Sequence, residues 1–172
     1  MKLKISLEYY IDTSDLGGGE NIAPVPIEDD IKAELVDIVS HGMLVGDMKK
    51  HLAIILTLKT VLDNKNQPTD ILHPDVKEWL ETVGSKAETA SDLIAEENEE
   101  VREFIMNAIK RSNSRCLSNA QKVHKFMFAP TDFSLEGGEL TPTLKMKRHV
   151  VLERYAKEIE DMYQYETQSS MW

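Results

Sequence analysis

Only one cysteine, Cys116, occurs in the 172 residues, so no disulfide can form within the chain, which is compatible with a reducing compartment. Its sequence neighbours supply neither a base nor a helix start that would activate it as a nucleophile. Long apolar runs are missing too: the longest, LAIILTL at 52–58, is strand-sized and far short of the ~20 residues of a membrane-crossing helix. The opening MKLKISLEYYIDTSD lacks an apolar stretch and a small-residue cleavage site, so no secretory signal is read there. Basic charge is scarce. With 20 Lys and Arg against 30 Asp and Glu, the net charge of −10 argues against general nucleic-acid binding, which needs a positive footprint on phosphate. The histidines at 41, 51, 73, 124 and 149 form no His-x-x-x-His pair, and no Cys-x-x-Cys exists, so no metal constellation is read. They are read as structural or surface residues, with His41 and His51 flanking a hairpin and expected to pair across it. No Walker loop, Gly-x-Ser-x-Gly or Gly-x-Gly-x-x-Gly precedes a helix. Composition and spacing therefore suggest a soluble, intracellular protein, and they reveal no complete active site.

What is present has the pattern of an α+β fold, a small central β-sheet or hairpin packed by helices. Leu3, Ile5 and Leu7 alternate with polar residues and suggest an edge strand. After the glycines of LGGGEN, Pro24 and Pro26 stiffen the chain; Pro26 suits a first helical turn, with Glu28, Asp29 and Asp30 near its positive end. Ile27, Ile31, Leu35 and Ile38 then form an apolar stripe that predicts a helix over 27–38. Two apolar runs follow, predicted as hairpin strands at 40–46 and 51–59; the second is apolar on both faces and is expected at the sheet centre. DNKNQPTD reads as a polar loop, and Pro74 as the opening of a helix bearing Val76, Trp79, Leu80 and Val83. Thr89 to Asp92 match a capping box. The stretch 96–113 predicts one helix, acidic at its start and basic at its end, and KVHKFMFAP a strand. Residues 149–163 predict the last helix, with Val151, Tyr155, Ile159 and Met162 on one face.

Two features could carry chemistry. LGGGEN could cradle an anion through its backbone amides. Lys145, Lys147 and Arg148 sit on a short loop before the last helix, either as a solvated basic turn or as cations that reach a site on another domain.

The stretches GGENIAPVPIEDDIK (18–32) and GGELTPTLKMKRHVVLERYAKEIEDMY (137–163) bear on that choice. In the first, Gly19, Asn21, Ile22, Pro24, Ile27 and Glu28 stand out; in the second, residues 138–148 run Gly-Glu-Leu-Thr-Pro-Thr-x-Lys-x-Lys-Arg. Together they resemble the first and last conserved blocks of the C-terminal domain of adenylate-forming enzymes, above all the bubblegum-type long-chain acyl-CoA synthetases. The resemblance covers roughly residues 17–163. It leaves 1–16 as an atypical N-terminal segment and 164–172 as a flexible tail, with 70–115 resembling the helical insertion of the long-chain subgroup.

The resemblance implies a lid over a large N-terminal adenylation domain that binds ATP and a long-chain fatty acid. Lys145 would enter the adenylation site, where a positioned ammonium stabilises charge gathering on the α-phosphate oxygens. Lys147 and Arg148 would orient the loop. After lid rotation, Gly18, Gly19 and Glu20 would face the pantetheine arm of CoA, glycine allowing close backbone approach. ATP and CoA would be co-substrates, and Mg2+ would accompany ATP outside this chain. Neither nucleic acid nor a transmembrane segment is implied, and the expected location is cytoplasmic, with peripheral attachment at the endoplasmic reticulum membrane as a further expectation. Two departures stand out. KISLEYYIDTSDL replaces the family's Gly-Arg-x-Lys-Asp/Glu hinge run, and the large domain with its Tyr-Thr-Ser-Gly-Thr-Thr-Gly loop is absent from the sequence. The chain is thus expected to be a fragment, a truncated gene model or a free-standing lid, inactive alone. The alternative is a non-enzymatic interaction module that docks on a synthetase or another partner.

Overall fold

The computed structural model describes residues 9–13 and 20–164. The expected edge strand at Leu3, Ile5 and Leu7 and the expected tail at 165–172 lie outside them. Strand β1 (Ile11–Asp12) pairs antiparallel with β2 (Asn21–Ile22), placing Ile11 opposite Ile22.

Helix α1 (Pro24–Glu34) starts earlier than the predicted 27–38 helix and also stops earlier, at Glu34. Pro24 and Pro26 both fit its opening turn, where no intrahelical N–H partner is needed. At its end the chain folds into a tight turn: Ile38 N–H and Val39 N–H both donate to Leu35 O, at 3.0 and 2.9 Å. Leu35 and Ile38 therefore stay buried without being helical.

Strands β3 (Val39–Val45) and β4 (Leu52–Leu58) form the predicted hairpin, and β7 (Val123–Phe128) joins β4 on its other side in parallel, giving the order β3-β4-β7. The central position expected for LAIILTL is observed, since every residue of β4 is buried. The two-residue strand period divides it between two cores. Leu52, Ile54, Leu56 and Leu58 belong to a core with Ile31, Leu35, Ile105 and Ile109. Ala53 and Ile55 belong to a second with Phe133, Leu140, Val151 and Tyr155.

The predicted loop DNKNQPTD is instead part of a second hairpin, β5 (Thr60–Leu62) and β6 (Pro68–Leu72). The Asp63 carboxylate accepts from Lys65 N–H and Gln67 N–H, both at 2.8 Å, closing a turn where polar composition alone suggests open loop. Pro68 takes the first position of its strand, where a missing donor is tolerated.

Helices α2 (Pro74–Thr82), α3 (Ala90–Glu96) and α4 (Glu99–Asn113) follow. Thr89 caps α3, accepting from Asp92 N–H at 3.0 Å, at the Thr of the expected capping box. The single helix expected over 96–113 is split: Glu97 adopts φ 46° and Asn98 caps α4, accepting from Glu100 N–H at 2.9 Å. The last predicted helix is likewise two, α5 (Arg148–Arg154) and α6 (Ala156–Gln164), with a break at buried Tyr155. Among the described residues no helix is long and apolar enough to cross a membrane.

Candidate functional site

The loop before α5 is a miniature hairpin. Leu140 bridges Met146 antiparallel, and Lys147 N–H donates to Glu139 O at 2.7 Å. Thr141 closes its tip twice, accepting Leu144 N–H on its carbonyl at 2.8 Å and Lys145 N–H on its hydroxyl at 3.0 Å. Pro142 sits in the second position of that turn, where its fixed φ is favourable. Leu144 takes φ 61°, a conformation that costs a non-glycine residue about 1 kcal/mol or more. Lys145 emerges beside it, exposed, and among the described residues its ammonium has no hydrogen-bond or ion-pair partner.

The base of this hairpin is held by two buried carboxylates. Glu139 is 1% exposed; it pairs with Arg154, which also donates to Gly137 O at 2.6 Å. Glycine suits position 137, because a Cβ there would collide with the Glu139 carboxylate held beside it. At the other end, Arg148 donates through both terminal nitrogens to Glu28, each at 2.6 Å. Glu28 Oε1 also accepts Leu44 N–H at 2.7 Å. The Tyr9 ring lies 5.3 Å from the Arg148 guanidinium carbon. Partial burial, then the Asp47 charge, push the Tyr9 phenol up; Glu28 adds to this and Arg148 opposes it.

Of the residues singled out from the sequence, Lys145 and Arg148 share this loop, with Lys147 between them at the cap position of α5. Glu20 is exposed, and its carboxylate accepts from Ser118 Oγ at 2.8 Å. Gly18 and Gly19 lie outside the described residues. The first and last blocks of the resemblance do meet, across a groove of about 810 Å3 walled by Ala23, Pro24, Val25 and Pro26 on one side and Met146, Lys147 and Arg148 on the other.

His41 and His51 do not pair. The register sets His41 opposite Thr57, and its Nδ1 lies 2.8 Å from Asp132, which also accepts from Thr57 Oγ1 at 2.5 Å. His51 falls in the connecting turn, with its ring against His124 and Tyr163 at 5.5 and 4.9 Å. Burial pushes the Cys116 thiol up, away from the reactive thiolate. No group of three His, Cys, Asp or Glu among the described residues could hold a metal ion.

Sequence reasoning misses Glu139 and Arg154, and it gives Glu28 no role beyond that of a helix-dipole partner. Burial of a glutamate is rare enough that composition gives no warning of it. The available signals are the Ile-Glu of the first block and the Gly-Glu-Leu of the last.

The family model for the AMP-binding enzyme C-terminal domain matches residues 12–97 and 83–167. The long-chain-fatty-acid–CoA ligase ACSBG1 of Mus musculus is 43% identical over 152 residues, covering 88% of this chain and 21% of the relative. ACSBG2 of Gallus gallus, also named a long-chain-fatty-acid–CoA ligase, is 44% identical over 147 residues, 85% of this chain and 19% of its own length. The chain thus spans about a fifth of these relatives. Among solved structures, the adenylation domain of a carboxylate reductase from Mycobacterium chelonae superposes with a TM-score of 0.59 at 16% identity, over 85% of this chain and 18% of that one. The A domain of the Segniliparus rugosus carboxylic acid reductase, in complex with AMP and a co-purified carboxylic acid, gives 0.58 at 16% identity, over 91% and 20%. At these identities the likeness speaks for the fold alone.

Proposed function

Because the chain belongs to the AMP-binding enzyme C-terminal domain family, we propose that it is the lid of a long-chain fatty-acid–CoA ligase, which joins fatty acid, ATP and CoA into acyl-CoA, AMP and pyrophosphate. The observation that carries the proposal is Lys145, an unpartnered ammonium presented at the tip of a hairpin whose base is fixed by ion pairs to two buried carboxylates, Glu28 and Glu139. A cation on a loop fixed this way meets developing negative charge with its backbone already placed, and in a water-poor site such a group lowers a barrier by several kcal/mol.

In this reading the lid spans 17–163, with 70–115 as the long-chain insertion, and its partner is a large adenylation domain. That domain would hold ATP with its Mg2+ and the fatty acid. In the first half-reaction the carboxylate attacks the α-phosphorus, pyrophosphate leaves, and Lys145 stabilises the phosphoryl oxygens while Lys147 and Arg148 keep the loop oriented. In the second the lid turns, and the segment containing Gly18, Gly19 and Glu20 accompanies CoA as its thiol attacks the acyl carbon and AMP departs. The location we propose is cytoplasmic, with peripheral attachment at the endoplasmic reticulum.

The test places this chain in the position of the C-terminal domain of a complete long-chain ligase. Lys145→Ala should slow acyl-adenylate formation on the order of 10²–10³-fold and spare thioesterification of supplied acyl-adenylate. Gly19→Leu should do the reverse. A Lys145→Ala graft that adenylates palmitate at the parental rate would refute the assignment and favour an interaction module. The isolated chain should release no pyrophosphate from ATP and palmitate.

A further inference from the structure

We propose that Glu28 is a positioning residue for Lys145, acting through Arg148, and that it ties the Lys145 loop to the first block of the resemblance; this rests on the ligase-lid reading. Nothing among the described residues holds the Lys145 ammonium, so its position is set by the backbone between Glu139 and Arg148. The cross-connections of that hairpin, among them Thr141 N–H to Lys145 O, Lys147 N–H to Glu139 O and the Leu140–Met146 bridge, shape the loop; Leu140 seats it on the second core, and Glu139 pairs with Arg154 of the helix that follows it. Arg148, three residues beyond Lys145, supplies the ion pair that ties the loop to helix α1.

Its guanidinium meets Glu28 as a two-pronged fork, a geometry that fixes direction as well as distance. Glu28 is in turn fixed by the N–H of Leu44, on a strand of the central sheet. One carboxylate, 4% exposed, therefore joins helix α1, strand β3 and the end of the Lys145 loop. A buried pair of this kind adds little net stability compared with an apolar replacement; what it supplies is a defined arrangement. The loop and helix α1 then move as one body, and because α1 belongs to the first block, disturbing Glu28 should reach both half-reactions, whereas Lys145→Ala reaches only one.

The direct test uses the full chain, with trypsin well below the melting midpoint of each variant. In Glu28→Gln, cleavage after Lys145 and Lys147 should rise ~10-fold while cleavage after Lys86, exposed between α2 and α3, changes less than about twofold. Arg148→Lys, which keeps the charge but loses the fork, should fall between. Unchanged cleavage, or an equal rise at all three lysines, would overturn the proposal, because a merely structural role loosens the domain everywhere. In the ligase graft, Glu28→Gln should lower kcat of both half-reactions on the order of 10-fold with KM for ATP unchanged. If Lys145→Ala leaves adenylation intact, the ligase-lid reading falls. If Lys145→Ala slows it and Glu28→Gln does not, only the positioning role falls.

Discussion

Helix α1 carries two arginine–carboxylate assemblies on opposite sides, since residues 28 and 30 point about 200° apart around a helix. On the sheet side, Glu28 and Arg148 form a single fork with side chains 5% and 15% exposed. On the other side, Asp30 and Glu34 meet Arg111 and Arg115 from α4 and its exit, where both arginines are about half exposed. Arg115 donates to Asp30 at 2.9 Å and to Glu34 at 2.7 Å, Arg111 to Glu34 at 2.6 Å, and Ser112 to Asp30 at 2.6 Å. The outer network has more charges and more hydrogen bonds, yet the inner pair should matter more. Water can replace the partners lost from the outer network but not those lost from the inner one.

The largest expected difference is in stability. Arg148→Ala leaves Glu28 buried and ionically unpaired and should cost about 3–5 kcal/mol, measured by urea unfolding. Arg111→Ala with Arg115→Ala should move the thermal midpoint by no more than about 3 °C. If the outer double variant proved the more damaging, burial would be the wrong criterion for ranking the two sides.

Acid sharpens the contrast. Burial raises the Asp30 pKa, but the hydrogen bonds from Arg115 and Ser112 outweigh it and leave the carboxyl below its ordinary value. Hydrogen bonds from Arg111 and then Arg115 hold Glu34 low as well. Folded-state values below the unfolded ones mean that this contribution is present above the ordinary carboxylate range and is lost as pH falls through the folded values. The gap in melting midpoint between wild type and the outer double variant should therefore close below about pH 4. Salt is a gentler probe. In about 1 M NaCl the same gap should narrow at neutral pH, while the penalty of Arg148→Ala persists. The smallest effect belongs to Lys145→Ala, whose melting midpoint should match wild type within about 1 °C, because the side chain supports nothing in the fold.

Periodicity makes the sheet legible. LAIILTL is apolar at every position but one and forms the central strand, and the stripe at Ile27 and Ile31 marks the buried face of α1. Boundaries fail where one side chain decides them: Asn98 splits a continuous helical pattern by capping α4, and Asp63 folds a polar stretch into a hairpin turn. The Lys145 loop is located by its family pattern, which also carries Glu28 and Arg148. Their pairing is not legible, because they are 120 residues apart and nothing local in either segment announces the other. Long-range pairing of buried charge is a property of the fold, which alternation and capping patterns do not encode.

The parallel pairing of β4 with β7 has a consequence for how the domain assembles. β3 and β4 are neighbours in the chain and can zip together locally, but β7 must wait until residues 59–122 have looped back to deliver it. Closing so long a loop carries an entropic cost that recedes only once the intervening helices have collapsed. Asn113, the last residue of α4, is placed to secure the arriving strand. Its side-chain amide donates to Val123 O and its oxygen accepts Val123 N–H, both at 2.8 Å, gripping β7 at its first residue. The sheet is therefore expected to fold in two kinetic stages, hairpin first and third strand later. Asn113→Ala should slow the second stage and leave the first untouched in stopped-flow refolding.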